Sequence, residues 1–143
     1  MNAIITAKAP EKANLWELNL KILQTASQVL AGELAAKQGN SEQAIAHLKT
    51  AIQLDDNLKG DPPLWYSPVR QTLGAILLEV GRKAEAEQIY REDLTIYPNN
   101  GWSLYGLAQS LQAQGKTKEA QEVQDRFENV WKYADVKLTN SRF

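Results

Sequence analysis

Apolar residues recur at every third or fourth position along this chain rather than at every second, so the pattern predicts helices and no strands. From Glu11 to Gln38 the only breaker is Gly32, and Leu15, Leu18, Ile22, Val29, Leu30 and Leu34 keep helical spacing. That stretch predicts one long helix or two nearly continuous ones, spanning on the order of 40 Å at about 1.5 Å per residue. Its first half must then pack across the other helices or dock onto something else. Shorter helices are predicted at about 41–54, 67–80, 83–96, 101–114 and 117–134 from their Gly, Pro and Asn boundaries. The last of these carries Val123, Phe127, Val130 and Trp131, with Tyr133 beyond it, an apolar surface that the tail or another chain must cover. The tail, Asp135 to Phe143, is expected to be extended or a short turn.

The helices fall into repeats. Gly39-Asn-Ser-Glu-Gln-Ala44, Gly81-Arg-Lys-Ala-Glu-Ala86 and Gly115-Lys-Thr-Lys-Glu-Ala120 share Gly, three variable residues, Gln or Glu, then Ala, and the last two are 34 residues apart. Three units follow, 25–58, 67–100 and 101–134, with an insertion at 59–66, Lys59-Gly-Asp-Pro-Pro-Leu-Trp-Tyr66, between the first two. Gly32, Gly74, Ala44, Ala86 and Ala120 suit close approach of antiparallel helices, because ridges on one helix need shallow grooves on the other. Gly39, Gly81 and Gly115 suit left-handed positions that close the first helix of each unit. Residues 1–10 are expected to be a flexible N-terminus, 11–134 one helical repeat domain and 135–143 a tail.

In the second unit Arg70-x2-Leu73-Gly74-x2-Leu77, then Ala86-x3-Tyr90, then Pro98, resembles the tetratricopeptide repeat (TPR) pattern, with Arg70 where a large apolar residue is usual. The third unit keeps Leu104-x2-Leu107-Ala108-x2-Leu111 and Ala120 but has Gln124 for the aromatic and Lys132 for the proline. Asp61-Pro-Pro-Leu-Trp-Tyr-Ser-Pro-Val-Arg70, Asn100-Gly-Trp-Ser-Leu-Tyr-Gly-Leu-Ala108 and the terminal Ser-Arg-Phe143 are similar to the C-terminal region of long bacterial TPR proteins of unassigned function. The resemblance implies an all-α fold: a TPR-type right-handed superhelix of antiparallel helix pairs, about three repeats plus a long N-terminal helix. It also implies a concave groove lined by the first helices and a role as scaffold or adaptor.

Composition narrows the partner. A formal charge of −1 over 143 residues supplies no cation surplus to neutralise phosphates, which argues against nucleic acid and anionic membrane surfaces and for a protein or peptide. The chain has no cysteine, which removes disulfides, thiolate metal sites and thiol nucleophiles. Met1 to Pro10 has no basic region and only a short apolar stretch, so a cytoplasmic protein is expected. His47 is the single histidine and has no imidazole or thiolate partner for a metal. The stretch Asp55 to Asp61 echoes a calcium loop, but Lys59 stands at a ligand position and Tyr66 replaces the bidentate Glu. No phosphate-binding loop, zinc-protease or nucleophile-elbow motif occurs. Neither enzyme chemistry nor a cofactor is expected.

Some TPR domains clamp a partner's terminal carboxylate with Lys and Asn at the second, fifth and ninth positions of the first helices. Here those positions hold Ala26, Val29 and Glu33; Pro68, Gln71 and Ala75; Trp102, Tyr105 and Gln109. No such clamp is present, and a neutral groove with an aromatic end is expected. The partner-binding candidates are Trp65, Tyr66, Arg70, Gln71, Trp102, Tyr105 and Gln109, since Trp, Tyr and Arg dominate interface hot spots. The competing reading makes the aromatics packing at repeat junctions. Two other functions stand beside the adaptor: a structural self-association module, forming a homodimer, and the non-catalytic C-terminal part of a larger protein.

Overall fold

Three glycines with positive φ make the turns that fold the chain into helix pairs. Gly39, Gly81 and Gly115 have φ of 80°, 79° and 77°. At each, the next residue's N–H reaches back over the helix end: Asn40 to Ala35 O, Arg82 to Leu77 O and Lys116 to Leu111 O, at 2.8, 2.8 and 3.0 Å. A left-handed residue there satisfies carbonyls that a helix end would leave unpaired and turns the chain back on itself.

The computed structural model describes residues 15–58 and 68–142. Among these residues there are six helices and no strand: α1 Leu15–Lys37, α2 Ser41–Asp56, α3 Val69–Glu79, α4 Lys83–Ile96, α5 Gly101–Ala113 and α6 Thr117–Trp131. The long first helix is continuous through Gly32. The last helix ends at Trp131, short of the expected 134, where Lys132 caps it and Ala134 N–H turns back to Trp131 O at 2.9 Å. The flexible segment expected at 1–10 and the insertion 59–66 lie outside the described residues.

α1 packs on α2, α3 on α4 and α5 on α6, and the pairs stack through α2 on α3, α4 on α5 and α3 on α5. Ala44, Ala86 and Ala120 occupy the same place in each second helix and are buried. Around them Leu48, Leu73, Ile76, Leu77, Leu104, Leu107 and Leu111 form one continuous core.

The junction of α3, α4 and α5 is fixed by Tyr90, which is fully buried. Its ring lies against the bare backbones of Gly74 on α3 and Gly106 on α5. A methyl group at Gly74 would stand 2.6 Å from the ring, and one at Gly106 would overlap it. Beside it lies a polar knot. Asp93, 1% exposed, accepts from Ser103 Oγ at 2.5 Å and Asn100 Nδ2 at 2.8 Å, while Asn100 Oδ1 accepts from Trp102 N–H at 3.1 Å as the cap of α5. The turn at Pro98 is thereby tied to the body of the fold.

α1 has two unlike faces. Thr25, Gly32 and Ala35 are buried toward α2, and His47 Nδ1 lies 2.8 Å from Gln28 Oε1 across the pair. On the opposite side Trp16, Leu20, Leu23, Leu30 and Leu34 are exposed, at 74, 45, 66, 70 and 55%. Their spacing of alternating four and three, with Ser27 filling the central place, is that of a helix-pairing seam.

The Tyr90 clamp yields a direct test. Gly106→Ala forces the ring or α5 to move and is expected to cost about 1–3 kcal/mol by overpacking. Gly39→Ala meets no neighbour and should cost roughly 1–2 kcal/mol through its left-handed backbone alone. Urea unfolding of both variants measures this; a Gly106→Ala chain as stable as wild type would refute the clamp.

Candidate functional site

α1, α3 and α5 are the first helices of their pairs, and together they form the row on which a groove was expected. One end of the row is aromatic. Trp102 and Tyr105, both half-buried on α5, meet the aromatics of α6: Trp102 and Trp131 stand edge to face at 5.9 Å, Tyr105 and Phe127 at 5.5 Å, and Phe127 stacks on Trp131 at 5.7 Å. Trp131 covers the start of α5 at Gly101, where any side chain would strike its ring. Its indole N–H donates to Val136 O at 2.7 Å, so the tail begins by folding under this cluster. Gln109 is exposed beside a shallow recess that it shares with Gln112, Gln121 and Gln124.

The other candidates are placed differently. Arg70 does not join the aromatic cluster: it forms a two-pronged pair with Asp56 at 2.6 and 2.7 Å, and its Nε lies 3.6 Å from Glu92 Oε2. Gln71 is buried and accepts from Asn100 Nδ2 at 3.3 Å, as part of the polar knot. Trp65 and Tyr66 lie outside the described residues. The described residues therefore bring Trp102 and Tyr105 together with α6, leave Gln109 at the edge, and commit Arg70 and Gln71 to holding α3 against its neighbours.

The opposite end of the row is acidic, and the tail occupies it. Leu138 packs against the core, and Asn140 Nδ2 donates to Glu79 Oε1 at 3.0 Å. Ser141, 2% exposed, shares a hydrogen bond between its Oγ and the Tyr90 hydroxyl, which emerges between α3 and α5. The Arg142 guanidinium donates through Nε and Nη2 to the two oxygens of Glu79 at 3.1 and 2.9 Å, and through Nη1 to Glu33 on α1. Its side chain is 9% exposed. Sequence reasoning missed this site. The available signal was Glu33, which holds the ninth position of the first repeat unit, 25–58, and so the expected groove side of its first helix; nothing in the sequence pointed the tail at it.

The electrostatics follow from burial and pairing. Burial alone would raise the pKa of Glu79, but hydrogen bonds from Arg142 and Asn140 hold it below its ordinary value, and it is charged at neutral pH. Burial pushes the Tyr90 phenol upward, so it stays a neutral donor and acceptor. Burial also raises Asp93, against the hydrogen bonds from Ser103 and Asn100. Glu79 and Asp93 hold separate partners and do not form a carboxylate pair. Among the described residues no group of three His, Cys, Asp or Glu side chains could hold a metal, and no helix is long and apolar enough to cross a membrane.

Compared with known families, the chain matches one tetratricopeptide repeat model over residues 23–99 and another over residues 101–125. These spans take in most of α1, all of α2 to α5 and the first part of α6. No curated protein matches it.

Asp55 gives the pH prediction. Half-buried at the end of α2 beside Asp56, whose charge is already taken by Arg70, its pKa is pushed up from 3.8 to about 6, first by burial and then by Asp56. The folded state thus holds this proton more tightly than the unfolded chain does. The cost of ionising it is absent below pH 4, grows between pH 4 and 6, and is fully present above. Asp55→Asn is expected to stabilise the fold at pH 7 by on the order of 1 kcal/mol, allowing for solvent screening, and to flatten stability between pH 4 and 6. Urea midpoints from pH 4 to 8 measure both effects; an unchanged slope would contradict the assignment.

Proposed function

Because the chain belongs to the tetratricopeptide repeat family, we propose that it is a cytoplasmic scaffold or adaptor that holds an extended segment of another protein along the row of α1, α3 and α5. TPR repeats generally mediate protein–protein interaction, and no catalytic step, cofactor, nucleic acid or membrane enters this reading. One observation supports it above others: the row already seats a short segment, the chain's own residues 138–142, which bends at 139–141 and is held through specific polar contacts. Polar side chains of such a segment need partners, and Glu33 of α1, Glu79 of α3 and Tyr90 of α4 supply them. At the other end Gln109, with the exposed edges of Trp102 and Tyr105, forms the proposed continuation of the contact surface, to which Trp65 and Tyr66 of the insertion would add. Arg70 and Gln71 keep α3 in register for it.

A second reading, self-association, rests on the exposed stripe of α1. Trp16, Leu20, Leu23, Ser27, Leu30 and Leu34 are symmetric about position 25, so an antiparallel copy of α1 would set Trp16 on Leu34, Leu20 on Leu30 and Leu23 on Ser27. The flanking places then oppose Glu17 to Ala31 and Asn19 to Glu33, with no like charges facing. A two-fold dimer through this face leaves the tail site of each copy on the same assembly.

Capture from lysate by the immobilised chain tests the first reading. Gln109→Arg together with Trp102→Ala, in a variant that keeps its helical circular dichroism, should lose at least tenfold of the captured partner; equal capture would count against this end of the groove. For the second, light scattering should show a dimer that Leu23→Glu with Leu30→Glu converts to a monomer without lowering the melting temperature. A wild-type monomer at high concentration would remove it.

A further inference from the structure

The acidic end of the groove is built for one kind of group. Glu33 and Glu79 come from neighbouring first helices and converge on a single guanidinium, which fills both oxygens of Glu79 and one of Glu33. A planar, always-charged fork matches two carboxylates in this way, and an ammonium cannot. Without a cation between them the two carboxylates would face each other across α1 and α3. The Tyr90 hydroxyl makes a second demand: it reaches the surface of the row from a fully buried ring and needs a small polar partner there. Serine one residue before arginine meets both demands with a single short segment, bent at 139–141.

The segment now in the site is held mainly at its end. Residues 132–137 are exposed, and Trp131 Nε1 donates to Val136 O among them. The last contacts, at Asn140 to Arg142, can therefore release without disturbing the helices, since local opening costs only the contacts broken. Tethering keeps the segment at an effective concentration in the millimolar range, enough to exclude weak competitors while yielding to a better one.

We propose that Glu33, Glu79 and Tyr90 form a recognition site for a protein segment carrying a serine or threonine followed by arginine, and that the chain's own Ser141 and Arg142 are its resident competitor. This rests on the groove reading above and names the partner's chemistry. A partner with that sequence displaces the tail, and the freed tail marks the occupied state.

The test uses the full chain. A fluorescently labelled peptide with the sequence of residues 135–143 is titrated against wild type, Arg142→Ala and Arg142→Lys, each checked for folding by thermal melt. Arg142→Ala, with its own tail disarmed, should bind the peptide at least tenfold more tightly than wild type, with Arg142→Lys between them. Glu79→Gln in the Arg142→Ala background should abolish binding. Equal binding by wild type and Arg142→Ala, or none by either, overturns the proposal; so does a wild-type dimer dissolved by Arg142→Ala, which would make the occupant a second copy's tail. Selection of random extended peptides on Arg142→Ala separates this failure from failure of the groove reading. Enrichment of hydroxyl-arginine sequences that Glu79→Gln eliminates supports the site. Enrichment of arginine-free sequences leaves the groove standing and sinks this site, and no enrichment sinks both.

Discussion

The aromatic ring of Tyr90 is the contact on which the rest of the molecule is arranged. It belongs to α4, yet it fills the gap between α3 and α5, and it fits only because both neighbours present glycine. Helix backbones that approach this closely leave no freedom in spacing, so the stacking of the second pair on the third is set by one ring. The same side chain ends in a hydroxyl that the packing cannot satisfy. Burial of an unpaired hydroxyl would cost about 1–3 kcal/mol, and the group that meets it is Ser141, 51 residues away in sequence. A packing constraint in the core therefore becomes a polar feature of the surface, and through it the tail is connected to the repeat stack.

The two ends of the first-helix row differ for physical reasons. At α5, Phe127 and Trp131 of α6 cover the end of the row by packing on Tyr105 and Trp102. Aromatic closure carries no net charge and so makes no charge demand on a partner. At α1 and α3 the row carries two carboxylates, which demand a cation and fix its geometry. Between them the knot of Asp93, Asn100, Ser103 and Gln71 holds α5 to the end of α4. The groove thus has a forgiving end and an exacting one, an arrangement suited to anchoring a segment at one charged residue and accommodating the remainder.

Much of the fold was legible because it depends on local signals. The glycines at 39, 81 and 115 announced their turns, the alanines at 44, 86 and 120 announced close approach, and the 34-residue spacing connected them. Gly106 carried no such signal: in the repeat frame it holds a variable position, and its role depends on Tyr90 arriving from another helix. The site was less legible. Arg70 and Gln71 are residue types that bind partners, yet their neighbours Asp56 and Asn100 claim them first. Arg142 attracted no attention as one cation near the end of a tail, because its partners Glu33 and Glu79 lie 109 and 63 residues away. Pairings at that separation have no periodicity to betray them.

The most direct test of this account is the side-chain resonance of the Arg142 guanidinium. In nitrogen-15 correlation spectra at neutral pH, a docked Arg142 gives an Nε–H signal shifted from the random-coil position and protected from exchange with water. Tyr90→Phe, which leaves the ring and removes only the hydroxyl, should weaken that protection, and Glu79→Gln should abolish it. An Arg142 signal at the random-coil position in the wild-type chain, exchanging freely, would contradict the account.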